Sequence, residues 1–131
     1  MNSLEINIKT HSKKEIIDIT QEIQRFISTQ SEEISLCHIF VRHTTAAITT
    51  ADLDPGTDMD YLAFIEHVTP KLEFQHPHDP EHAPDHIWAS IIGPDVTVPV
   101  INQQLVLGTW QRIVFCEMDG PRERSVRITV T

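Results

Sequence analysis

The sequence predicts an α+β domain, an antiparallel sheet or sandwich with helices on one side, and three observations lead there. Apolar and polar residues alternate near both ends of the chain, two stretches between them place apolar residues at helical spacing, and Pro, Gly and Asp punctuate the joints. At 131 residues it is one domain, 1–131, long enough to bury roughly two-thirds of its unfolded surface.

Leu4, Ile6 and Ile8 alternate with polar neighbours and mark a first strand. Ser12-Lys13-Lys14-Glu15 has the form of a capping box, so a helix is expected from there to about Ser28, with Ile16, Ile19, Ile23, Phe26 and Ile27 on one stripe. Residues 34–42 read as a strand that delivers His43-Thr44-Thr45 at its end; residues 46–50 either continue as strand or bend. Asp54-Pro55-Gly56 makes a turn. A second helix follows from 57 or 58 to 68, with Tyr61, Leu62, Ile65 and Val68 inward, and Thr69-Pro70 stops it. Residues 86–92 fit a short helix or a strand, broken by Gly93-Pro94-Asp95. Residues 96–100, 113–118 and 126–130 are strands, the last two expected to form an antiparallel hairpin through Asp119-Gly120-Pro121-Arg122.

Composition narrows the function. A net charge of −9 offers no basic footprint for a nucleic-acid or anionic-membrane partner. No run reaches the length of a membrane span and the N-terminus lacks a basic region followed by an apolar stretch, so a cytoplasmic protein is expected. Cys37 and Cys116 sit in apolar strand-like runs and read as buried free thiols. Charge is unevenly placed: Asp52, Asp54, Asp58, Asp60, Glu66, Glu73, Asp79, Glu81 and Asp85 surround a single base, Lys71, whereas Arg112, Arg122, Arg124 and Arg127 gather near the end.

The densest chemical signal is His76, His78, His82 and His86, set among carboxylates and three prolines in a stretch that cannot build much core. Imidazole and carboxylate bind first-row metals and move protons near neutral pH. A catalytic zinc takes three protein ligands and keeps one position open. His43 at a strand end, with His76 and His86 flanking the loop, is the ligand set expected for a divalent metal, zinc first, with His78 and His82 in reserve. Glu117, a charge in an apolar strand, must face a partner, a metal or a cavity unless it simply points outward. It is the candidate acid or base. Thr109 and Gln111 are candidate substrate contacts, while Trp110 between them is expected to pack into a subunit contact. Arg122 and Arg124 could clamp a phosphate, or stand as surface charges on the hairpin.

Taken together, His43-Thr44-Thr45-Ala46-Ala47, Asp54-Pro55 with Asp60, the loop from His76 to His86, Leu107-Gly108-Thr109-Trp110-Gln111, and Glu117 with Asp119-Gly120-Pro121-Arg122-x-Arg124 resemble the YjbQ (UPF0047) family over nearly the whole chain. The resemblance implies a β-sandwich-like core, a homotrimer, and a site near a subunit boundary built from His43, His76 and His86, often with metal. It also implies a secondary thiamine-phosphate synthase activity, which joins hydroxymethylpyrimidine diphosphate to thiazole phosphate and releases pyrophosphate. One departure is Ala51, where many members carry a glutamate. The expected function is therefore a metal-assisted transferase on a phosphorylated small molecule, with Glu117, His43 and His86 at the reaction centre. The alternatives are a metal-dependent hydrolase and a non-catalytic metabolite- or metal-binding protein.

Overall fold

The computed structural model describes residues 2–131 as an α+β domain in three layers. In chain order the elements are β1 (Asn2–Lys9), β2 (Glu15–Asp18), α1 (Thr20–Ser28), β3 (Leu36–Val41), β4 (Ala46–Asp52), α2 (Thr57–Val68), a 3-10 turn (Pro80–His82), α3 (Ala83–Ile92), β5 (Asp95–Ile101), β6 (Gln104–Leu105), β7 (Gln111–Glu117) and β8 (Glu123–Val130). One antiparallel sheet runs β1-β8-β3-β5-β6 and a smaller one runs β2-β7-β4.

Side-chain parity explains the layers. On β8, Val126, Ile128 and Val130 point inward; from β7, Ile113 and Phe115 meet them, and Ile23 and Ile27 of α1 join the same cluster. The intervening β7 residues Val114 and Cys116 face the other way, into a second cluster with Ile65 of α2 and Ala89 of α3. The small sheet is therefore covered on both faces, which is why residues 113–118 read as an unbroken apolar run. Cys37 and Cys116 are buried free thiols, and burial pushes both up to about 12.

Three expectations are corrected. The helix does not start at Ser12. Glu15 does reach back to the Ser12 and His11 amides, but it closes a turn before a strand, because Ile16 and Ile17 pair with Cys116 and Phe115. Helix α1 opens later, where Asp18 Oδ1 accepts from the Thr20 amide at 2.9 Å. Strands β7 and β8 do not form a hairpin; the chain crosses at Asp119–Arg122 from one sheet to the other. Gly120 makes that corner possible, since a Cβ there would lie 2.4 Å from the Ser12 carbonyl oxygen and 2.8 Å from Thr10 Oγ1. Val68 is exposed rather than inward, leaving Ile65 as the buried residue of α2. The ambiguous segment is helix α3, with Pro84 tolerated in its first turn. No helix among the described residues is long and apolar enough to cross a membrane.

Candidate functional site

Glu117 and Arg124 project from different sheets toward the same interior. Glu117 keeps the parity of Ile113 and Phe115, and Arg124 that of Val126, Ile128 and Val130. They meet at one end of the sandwich: Arg124 Nε donates to Oε1 at 2.8 Å and Nη2 to Oε2 at 2.5 Å. Thr10 Oγ1 donates to Oε1 at 2.8 Å and the Asp119 amide to Oε2 at 3.1 Å. Burial alone would raise this carboxyl, but the bonds from Arg124, Asp119 and Thr10 reverse that and hold it below the usual carboxylate range. Both oxygens are committed. Arg124 Nη2 also donates to Thr45 Oγ1 at 2.8 Å, which ties down the segment just after His43.

His43 follows β3 and is partly buried. Its Nε2 accepts the Ser125 amide at 3.0 Å, just beyond Val41 opposite Val126, where the β3–β8 ladder ends. Burial, with the Arg124 charge nearby, holds its pKa below the ordinary histidine value, against a weaker opposite pull from Glu117. His43 and His86 line one cavity of about 420 Å³ together with Thr44 and Ser90. His76 stacks on His86 with ring centroids 4.6 Å apart and planes at 28°. Its Nδ1 lies 3.2 Å from the Asp79 carbonyl oxygen; donation there fixes the ring's lone pair on Nε2, the usual wiring of a metal-ligating histidine. The sequence positions 43, 76 and 86 thus reach one neighbourhood, with His76 joined through His86. His78 takes a left-handed turn conformation, φ 69°.

A second cluster lies at the β7–β8 corner, and it was not visible in the sequence. His82, Asp85 and Asp119 form the one gathering of three such donors within 4.8 Å among the described residues. Its carboxylates already hold cations. Lys13 Nζ bridges Asp85 and Asp119, at 2.7 and 2.5 Å; Lys14 binds the other Asp85 oxygen at 2.8 Å; Arg122 reaches Asp119 Oδ2 at 3.1 Å. Burial pushes Asp119 up, but Lys13 and Arg122 prevail and hold it below its usual value. Both ring nitrogens of His82 also face carboxylates, Asp79 at 3.1 Å and Asp119 at 3.4 Å. The cluster therefore works as an ionic clasp pinning the start of α3, and with it His86, to the corner. Of the two arginines proposed as a clamp, Arg122 stays half exposed here, while Arg124 is buried against Glu117.

Thr109 and Gln111 lie at the opposite end of β7, about 20 Å from Glu117 at strand rise. Gln111 closes its own turn, accepting from the Gly108 amide at 2.8 Å, and Trp110 beside it is 68% exposed. A family model described as "UPF0047 protein YjbQ-like" matches residues 4–131. The chain belongs to this family. It is 37% identical over 124 residues to a UPF0047 protein of Archaeoglobus fulgidus, covering 94% of this chain and 96% of the relative. It is equally identical, over 124 residues, to the UPF0047 protein YugU of Bacillus subtilis, covering 94% of each. The fold is likewise similar to the crystal structure of a hypothetical protein from Aeropyrum pernix K1, with a TM-score of 0.89 at 35% identity, covering 100% of this chain and 98% of that one. In this UPF0047 chain Ala51 lines a separate apolar cavity with Ile16, Tyr61, Phe64 and Cys116, away from the histidines.

The pairing of Arg124 with Glu117 did have a sequence signal. Arg124 shares parity with three inward-facing apolar residues of its strand, which marks an inward arginine needing a carboxylate. The Lys13–Asp85–Asp119 clasp had none, because it joins three distant segments.

Proposed function

We propose that this protein is a metal-dependent enzyme acting on phosphorylated small molecules, and that thiamine-phosphate synthesis is the first reaction to assay. The observation that carries the reading is that His43 and His86, from separate segments, line one partly open cavity, with His76 stacked on His86 beside it. The donor set fits a divalent ion best at His76 and His86. His76 keeps Nε2 free by donating through Nδ1, and imidazole nitrogen suits zinc and its neighbours.

A divalent ion bound there would supply charge to ease departure of a diphosphate. The chain's own residues have other tasks. Thr44 and Ser90 place hydroxyls in the cavity wall beside His43. The Glu117–Arg124–Thr45 network holds the His43 segment rigid, so Glu117 acts as a positioning residue. Arg122 is half exposed at the corner, and it would reach a diphosphate by exchanging its contacts with the Asp119 carbonyl and carboxylate. Thr109 and Gln111 contribute to a site only across a boundary between copies, and the homotrimer that the family resemblance implies, with Trp110 in the contact, would supply such a boundary.

Metal content per chain tests this. Protein purified without added metal or chelator is expected to carry about one divalent transition ion per chain, and His86→Ala to lose it. Protein that holds none and takes up none on titration would sink the reading. If metal is present, release of pyrophosphate from the pyrimidine diphosphate and thiazole phosphate then decides the reaction.

A further inference from the structure

Two imidazoles of this neighbourhood, His43 and His76, are wired in opposite senses. A backbone amide only donates, so the Ser125 N–H at 3.0 Å requires an unprotonated Nε2 on His43. The neutral ring then carries its proton on Nδ1. Ligation of a metal through Nδ1 would need a second deprotonation, and ligation through Nε2 would need the ring to abandon Ser125 and the end of the β3–β8 ladder. His76 is the reverse case, with Nδ1 spent on the Asp79 carbonyl and Nε2 left with its lone pair.

The cavity that His43 lines has a polar wall made of His43, Thr44, His86 and Ser90, with no carboxylate among its described lining residues, in a chain of net charge −9. A pocket kept clear of acids in so acidic a protein suits an anionic oxygen. We infer that His43 meets the ligand as a fixed neutral Nδ1–H donor to a phosphate or diphosphate oxygen, while metal ligation falls to His76 and His86. This rests on the reading of the cavity as a site for phosphorylated compounds and assigns its residues different tasks.

Long-range proton–nitrogen NMR of the 15N-labelled protein near neutral pH reads the tautomer directly, with the His43 signals assigned by their loss in His43→Gln. The expected result is a protonated Nδ1 and an unprotonated Nε2; a proton on Nε2 overturns the inference. Zinc affinity by chelator competition, and inorganic pyrophosphate affinity by calorimetry on the zinc-loaded protein, test the consequence. His43→Gln keeps an acceptor for Ser125 but lacks a donor at the δ position. It should bind zinc within about threefold of the native protein and pyrophosphate roughly 10-fold or more weakly, the weight of one hydrogen bond to a charged group. His76→Ala should lose zinc. Zinc loss in His43→Gln equal to that in His76→Ala, or unchanged pyrophosphate binding, would overturn the inference alone. A native protein that binds neither zinc nor pyrophosphate would overturn the proposed function with it.

Discussion

The two ends of strand β7 are built on different principles. At Glu117 every polar atom is answered from within the chain, by Arg124, Thr10 and the Asp119 amide, and the side chain is fully buried. At Gln111, six residues away, the side chain closes a local turn and Trp110 stands exposed. The first end is a finished structural joint, and the second is an exposed surface. A charge in an apolar strand is thus no guide to catalysis by itself, because burial with full pairing converts it into scaffold.

The largest expected effect breaks the closed end. Arg124→Leu strands a buried carboxylate and should cost about 3–5 kcal/mol in denaturant unfolding. The double variant Arg124→Leu with Glu117→Leu should recover much of that loss. A single variant losing under 1 kcal/mol would show that the joint is not closed. Gly120→Ala, which drives a methyl against the Ser12 carbonyl, should cost about 1–3 kcal/mol by overpacking; native-like thermal stability would contradict the corner geometry.

Acid provides the third test. Glu117 and Asp119 are both held below their ordinary values. Carboxyls lowered in this way stabilise the fold above their unfolded pKa and lose that contribution as pH falls through the folded one. Stability attributable to them should therefore hold down to about pH 4 and decline below it, with a shallower decline in Asp119→Asn. An identical acid profile in that variant would remove Asp119 from the clasp. The smallest effects belong to the open end. Gln111→Ala and Trp110→Ser should each change unfolding free energy by about 0.5 kcal/mol or less, while Trp110→Ser should shift sedimentation from the proposed trimer toward smaller species. A large stability loss with unchanged assembly would mean that this end, too, is scaffold.

Much of this was legible from residue order. Alternation located β1, β5 and β8, because their apolar periods agree with their structures, and helical spacing located α2, although Ile65 is its one buried residue. The capping-box motif failed at Ser12, where pairing with β7 outweighed a local helix signal. The hairpin expectation failed because a short polar connection fixes a reversal but not the sheet into which the next strand is drawn. His43, His76 and His86 could be picked out by chemistry alone. Which nitrogen each ring presents could not, since that depends on Ser125 and Asp79, contacts made only in three dimensions.

The pairing of β1 with β8, Asn2 opposite Val130, has a consequence for how the chain is made. β8 follows the other described strands in the sequence, yet it lies between β1 and β3 in the larger sheet. Until Glu123–Val130 leaves the ribosome, β1 and the β3 edge that faces it wait without the strand that joins them, so the larger sheet closes only after β8 has emerged.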